Sequence, residues 1–329
     1  MKISILGCGN WGSVFGIIQH NNGHHVRIWE YDRERCERIQ DTRGNEPFLT
    51  GCTLPSPILV HWDIKCVLEN AELAVFAVPL QKLGTVAEQL ASVKTGCSRY
   101  LNLAKGIDMR SLKRPSEIIS EYLGENKKIF TLSGPCIANE IVRGAPAAAV
   151  IVGNHEQELP VLQHALSTDS FRLYKGHDLI GVELAGAIKN VIALGCGISD
   201  GLGYGTNAKG ALITRGIVEI QRLGVHMGAQ TETFWGLSGL GDLITTSFSQ
   251  ESRNHRFGVA IGQGKSIEHI QQNIVMVAEG VPTAQAVQKL KFRHGIDMPI
   301  CDSVHDIVYM DKPPEQAIRE LMSRPLTHE

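Results

Sequence analysis

The chain has no long run of one charge sign. Its 32 lysines and arginines stand against 34 aspartates and glutamates, a net charge of −2 over 329 residues. That balance argues against a nucleic-acid surface or a charged disordered tail. No C-x-x-C pair occurs among the eight cysteines, Cys8, Cys36, Cys52, Cys66, Cys97, Cys136, Cys196 and Cys301. Disulfide frameworks and zinc sites use paired spacings, so reduced thiols of a cytosolic protein are the expectation. His24 and His25 adjoin without another ligand type at metal-site spacing, so a solvated turn is expected there, and no metal. No basic-apolar-small leader precedes the strand-like KISILG at residues 2–7, and the expected location is the cytoplasm.

One long apolar stretch stands out, GVELAGAIKNVIALGCGISDGLG at residues 181–203. Its glycines, with Glu183, Lys189 and Asn190 inside it, argue against a membrane span, because ionised groups at bilayer depth are costly. It reads as a helix buried on most faces. Lys189 has two readings on the residues alone. It either snorkels to solvent or is desolvated with a lowered pKa, placed to exchange a proton with a substrate.

With 43% hydrophobic residues, the chain is globular and long enough for two domains. Residues 2–6 form a short β-type run that ends in G-C-G-N-W-G, and the chain then turns helix-like over 13–20. This is a dinucleotide fingerprint in strand–glycines–helix context. Gly7 allows the tight turn, Gly9 the approach of a diphosphate, and Gly12 close packing of helix on strand. The amide groups at the helix start then face the anion. A second strand is expected at 25–29. Glu30 or Asp32 beyond it are candidates for the ribose hydroxyls of NAD, Tyr31 for stacking on adenine, and Arg33 for the extra phosphate of NADP. The choice between the two cofactors stays open.

Residues 44–57 read as an irregular loop with an apolar anchor, Pro47-Phe48-Leu49. Strands are expected at 72–78, 98–103, 128–132, 145–152 and 170–174, alternating with helices at 82–93, 114–123 and 156–166. That alternation implies a parallel, doubly wound sheet whose ligands collect at the carboxyl ends of its strands, where Lys105 and residues 133–138 fall. From 178 onward only helical patterns appear, at 208–223, 235–245, 253–261, 284–294, 298–308 and 314–322. The expected architecture is therefore an α/β Rossmann-type domain, residues 1–178, followed by an all-helical substrate-binding domain, 179–329. Three polar clusters lie in the helical half: Asp242 within GLGDL, Ser252-Arg253-Asn254, and Glu279-Gly280. The second offers a guanidinium fork, an amide and a hydroxyl suited to phosphate. It reads equally as a helix start with Ser252 as cap.

These motifs together resemble the NAD(P)-dependent glycerol-3-phosphate dehydrogenases over nearly the whole chain. The resemblance is carried by GCGNWG, NLAKGID around Lys105, SGPCIANE at 133–140, VELAGAIKNVIALGCGISDGLGYGTN at 182–207, GLSGLGDLITTSFSQESRNHRFG at 236–258 and VAEG at 277–280. It implies NAD or NADP as cofactor and reversible reduction of dihydroxyacetone phosphate to sn-glycerol 3-phosphate, feeding glycerophospholipid synthesis. It places Gly7, Gly9, Asn10, Trp11, Gly12, Tyr31, Lys105, Ala138, Arg253, Val277 and Glu279 at the cofactor. Lys105, Gly134, Cys136, Lys189, Asp242, Ser252, Arg253 and Asn254 would line the substrate site, with Lys189 as the catalytic proton donor or acceptor. Members of the family are often homodimers. Two departures matter: Cys136 stands where a serine is usual, and the segment near Ser247, which here reads TTSFSQ, usually carries a cysteine. Rival readings are a dehydrogenase of another phosphorylated alcohol or 3-hydroxy acid, and a dinucleotide sensor without turnover.

Overall fold

The computed structural model describes residues 1–273 and 277–326. By contact the chain forms two compact units, Met1–Lys105 with Lys113–Glu183, and Gly106–Leu112 with Leu184–Glu329. The strand patterning sets the change at 178. The first unit nonetheless keeps one further turn of the long helix Leu179–Gly201. Glu183 explains this. Its carboxylate accepts hydrogen bonds from Ser116 N–H (2.9 Å), Ser116 Oγ (2.7 Å), Thr131 Oγ1 (2.8 Å) and Arg114 Nη1 (2.7 Å), all residues of that unit.

The first unit holds ten strands: β1 (Lys2–Leu6), β2 (His25–Trp29), β3 (Gly44–Asn45), β4 (Leu49–Thr53), β5 (Leu59–His61), β6 (Leu73–Phe76), β7 (Arg99–Asn102), β8 (Lys128–Ser133), β9 (Ala147–Gly153) and β10 (Phe171–Lys175). Eight of them form one sheet in the order β10-β9-β8-β7-β6-β1-β2-β5. Central strands such as β6, LAVF, are buried on both faces, which is why they read as unbroken apolar runs. Alternation sends Ile3, Ile5, Leu73 and Val75 into one core layer and Leu6, Ala74 and Phe76 into the other. The helix Leu80–Ala91 covers the second layer with Leu80, Leu83, Val86, Ala87 and Leu90, a helical stripe at three- and four-residue spacing.

Three expectations need correction. The sheet is not wholly parallel, because β9 runs antiparallel to β8. Residues 134–146 between them contain only the short helix Ala138–Val142, so the chain turns back beside β8 instead of crossing over the sheet. Residues 44–57 are not an irregular loop throughout, since β3 and β4 pair as a small antiparallel hairpin. The single helix expected at 235–245 is three pieces: Thr231–Trp235, a wide turn Leu237–Gly241, and Asp242–Phe248. Gly241 N–H reaches back to Gly236 O at 3.1 Å, an i to i−5 bond that only a widened turn makes.

The second unit is helical, with no strand among its described residues. Its long helices are the remainder of Leu179–Gly201, then Thr206–His226, Arg253–Gly262, Gly280–His294, Pro299–Tyr309 and Pro314–Met322. Leu179–Gly201 is long and apolar enough to cross a membrane, but 89% of its apolar window is buried inside the protein. It is a core helix.

Candidate functional site

In the first unit the glycine turn is built as its sequence requires. A side chain on Gly12 would place its Cβ 2.1 Å from Gly7 O, so helix and turn pack backbone to backbone. Beside Gly9 the same position is open, with no atom within 4 Å. Gly9 is the N-cap of the helix Asn10–Asn21 and no side chain caps it, which leaves the first amide groups for an anion. Asn10 Oδ1 is buried beside this turn and has no hydrogen-bond partner. These features fit a dinucleotide diphosphate. Trp11 lies edge-on to Phe15 and Phe171, with ring centroids 6.1 Å away in both cases, and so helps anchor the turn to the core.

At the end of β2 the groups proposed for the ribose separate in character. Glu30 is 2% exposed and spends its oxygens on Asp32 N–H (3.1 Å) and Arg35 (3.0 Å). Burial raises its pKa, with Arg35 opposing. Asp32 caps the helix Arg33–Thr42 by accepting from Arg35 N–H. Tyr31 is 77% exposed and is the group at this strand end most available to a ligand. Arg33 is also exposed, its Nε bonded to Glu37 Oε1 at 2.8 Å and its guanidinium 5.2 Å from the Trp62 ring centre. At the carboxyl ends of β7 and β8, Lys105 Nζ donates to Gly134 O at 2.9 Å. That bond joins two residues which the sequence could only place separately. Cys136 is half-buried two residues on, and Ala138 opens the next helix.

In the second unit Lys189 does not snorkel. It is 5% exposed, and its Nζ donates to Asp242 Oδ1 at 2.9 Å and Thr246 Oγ1 at 2.5 Å. Asp242 opens the helix that follows the wide turn, and Thr246 lies one turn later, so both face the same way. Thr246 in turn donates to Asp242 Oδ1 at 3.2 Å. The sequence reading passed over Thr246, although its spacing of four from Asp242 was a usable signal.

Ser252 is an N-cap, with its Oγ accepting from His255 N–H at 3.2 Å, so the capping reading of the cluster holds in part. Arg253 follows and is exposed. Enough protein surrounds its guanidinium to lower its pKa, while the charge of Glu279 raises it. Surface exposure is the better guide to whether it can meet a ligand. Asn254 turns inward: its Oδ1 accepts from Gly280 N–H at 2.8 Å and its Nδ2 donates to Asn190 Oδ1 at 2.9 Å. Asn190 Nδ2 continues to Gly186 O at 3.3 Å. This amide chain ties the helices of Lys189 and Arg253 to the start of Gly280–His294, next to Glu279. Val277 is 45% exposed nearby in sequence. His255 Nε2 and Lys209 Nζ both meet Asp200 Oδ2, at 2.7 and 2.5 Å, fastening the same helix start again. Ser247 is fully buried, and burial pushes the Cys196 thiol up to about 11. Ser247 therefore belongs to the core. Among the described residues no cluster of His, Cys, Asp and Glu has the makings of a metal site.

Comparison with known proteins places both units. The family description "NAD-dependent glycerol-3-phosphate dehydrogenase N-terminus" matches residues 2–159, and its C-terminal counterpart matches 178–319. A glycerol-3-phosphate dehydrogenase [NAD(P)+] of Thermoanaerobacter sp. (strain X514) is 44% identical over 329 residues, covering 100% of this chain and 99% of the relative. One from Fusobacterium nucleatum subsp. nucleatum is 40% identical over 98% of this chain and 97% of its own length. The crystal structure of glycerol-3-phosphate dehydrogenase from Coxiella burnetii superposes with a TM-score of 0.94 at 35% identity, covering 98% of each chain.

Proposed function

Because the chain belongs to the NAD-dependent glycerol-3-phosphate dehydrogenase family, we propose that it reversibly reduces dihydroxyacetone phosphate to sn-glycerol 3-phosphate, with NADH or NADPH, for glycerophospholipid synthesis. The observation that carries this reading is the buried Lys189 held by Asp242 and Thr246. A desolvated lysine fixed by two partners is a costly arrangement for stability alone, and an apt one for moving a proton.

The nicotinamide, when bound, supplies or takes up the hydride. The chain's residues do the rest. Gly7, Gly9, Asn10, Trp11 and Gly12 form the diphosphate turn, and Tyr31 takes the adenosine end. Lys105, Ala138, Arg253, Val277 and Glu279 complete the cofactor contacts. Gly134, Cys136, Asp242, Ser252 and Asn254 join Lys105, Arg253 and Lys189 at the substrate. Lys189 gives a proton to the oxygen of the reacting carbon, or removes it in the reverse direction. Asp242 and Thr246 hold the ammonium in place. The exposed Arg253 fork receives the phosphate, a remote handle whose binding energy positions the carbon to be reduced. At Cys136 a thiol, a weaker donor than the usual hydroxyl, faces the substrate. The reading includes a cytoplasmic location and a homodimer, and a monomer by analytical ultracentrifugation at assay concentration would remove the latter.

The test is the purified chain with dihydroxyacetone phosphate and either reduced dinucleotide, followed by loss of NAD(P)H absorbance. Turnover is expected with this substrate and not with 3-hydroxy acids in the oxidative direction. Turnover of a 3-hydroxy acid alone would reject the proposal.

A further inference from the structure

Two polar side chains that the reaction does not use converge on one backbone carbonyl inside the glycine turn. Arg35 Nη2 donates to Cys8 O at 2.5 Å, and Asn45 Nδ2 donates to the same oxygen at 2.9 Å. Arg35 is itself held by several groups, although its buried Nε has no hydrogen-bond partner. Its Nη1 pairs with Glu30 Oε2 at 3.0 Å, its Nη2 also donates to Asn45 Oδ1 at 2.7 Å, and its guanidinium lies 3.9 Å from the ring centre of Phe48. Asn45 gives a further bond to Ser13 Oγ at 2.7 Å, in the first turns of the helix that follows the glycines. Glu30 and Asn45 are 2% and 1% exposed. Arg35 and Asn45 come from the helix Arg33–Thr42 and the hairpin strand β3, two separate elements brought to one atom, and Glu30 at the end of β2 pairs with Arg35.

That atom matters because of peptide geometry. The Cys8–Gly9 bond is not among the cis peptides, so it is planar and trans, with its C=O and N–H pointing in opposite directions. Two donors holding Cys8 O inward therefore aim Gly9 N–H outward. A Cβ built on Gly9 would meet nothing within 4 Å, so there is open space beside this residue. The uncapped amide groups of the helix Asn10–Asn21 also begin there. An amide that has to meet an anion gains most when its direction is fixed before binding.

We propose that Arg35 and Asn45 are positioning residues for the dinucleotide diphosphate, holding Cys8 O so that Gly9 N–H is presented to it, with Glu30 serving as the buried counter-ion of Arg35. The inference rests on the proposed function for the identity of the ligand. It also removes Glu30 from ribose recognition, since its carboxylate is buried against Arg35 and Asp32 N–H. The polar cost of burying this trio is offset by mutual hydrogen bonding.

The test is the affinity of the full chain for NADH and NADPH, by fluorescence titration, in Asn45→Ala and in the paired variant Glu30→Gln/Arg35→Met. The pair is changed together so that no lone charge is left buried. Asn45→Ala leaves the ion pair intact and decides the matter should the double variant fail to fold. Expected is weaker binding of both dinucleotides by about tenfold, the scale of one net hydrogen bond. KM for NADH should rise, while KM for dihydroxyacetone phosphate and kcat at saturating NADH shift less than about twofold. The paired variant should move NADH and NADPH affinity by the same factor. A ribose-binding Glu30 would instead change their ratio and overturn that part. Folded variants that bind as the wild type does, or a parallel rise of both KM values with a lowered Tm, would overturn the inference alone. A wild-type protein that binds neither dinucleotide would overturn the proposed function with it.

Discussion

Lys189 has two hydrogen-bond acceptors on one short helix, and that detail sets what each residue of the trio can contribute. Asp242 supplies the counter-charge, while Thr246 Oγ1 can accept from the ammonium and still donate to Asp242. Thr246 is thus an orienting group whose loss leaves the charge pair standing. Thr246→Val should lower kcat by roughly tenfold, with unfolding free energy falling by about 1–2 kcal/mol for the lost buried hydrogen bonds. Initial rates and urea unfolding measure the two. An unchanged kcat would make Thr246 a packing residue only. The sequence alone made Lys189 and Asp242 visible as polar residues in apolar surroundings. Their pairing does not follow from spacing, because the partners are 53 positions apart and the fold brings them together. The Arg35 hub was hidden for a related reason: Arg33 and Arg35 look alike in a charged helix, and only burial tells them apart.

Among the elements, the two helices that bear Lys189 and Arg253 are held backbone to backbone. A side chain on Gly258 would put its Cβ 2.1 Å from Leu194 O, so the helix of Arg253 touches the helix of Lys189 with nothing between. The amide chain from Gly280 through Asn254 to Asn190 fixes the same pair at the other end. A third helix, Pro299–Tyr309, is started by a distant residue. Glu219 accepts from Ile300 N–H at 2.7 Å and Cys301 N–H at 3.1 Å, whereas Met298 at the N-cap contributes no side-chain bond. Burial raises the Glu219 pKa from 4.5 to about 7, against those two bonds. The folded chain therefore keeps a proton that the unfolded chain gives up near pH 4.5. The resulting stabilisation is complete below pH 4.5 and is lost as pH rises through 7. A displacement of this size corresponds to roughly 3 kcal/mol across that window. Glu219→Gln should flatten this part of the stability profile, read as urea midpoints at the two ends of the window. An unchanged slope would show that Glu219 is ionised in the folded protein. Helix periodicity was legible for most of these elements. The wide turn at Leu237–Gly241 was not, because its glycines and leucines continue a helical pattern while the backbone widens.

For the molecule as a whole, the division into a strand–helix half and a helical half was readable from patterning. So was the fingerprint, since a glycine turn between a strand and a helix is a local feature. The direction of β9 was not readable: an apolar strand looks the same whichever way it runs, and only the short connection Gly134 to Pro146 decides it. The central claim is that this chain moves a proton through Lys189 while its first unit holds the dinucleotide. Its most direct test compares the wild type with Lys189→Met, measuring kcat for dihydroxyacetone phosphate reduction together with NADH affinity. The account predicts a loss of kcat of about 10²–10⁴-fold with NADH binding retained. Near-normal turnover in Lys189→Met would contradict it.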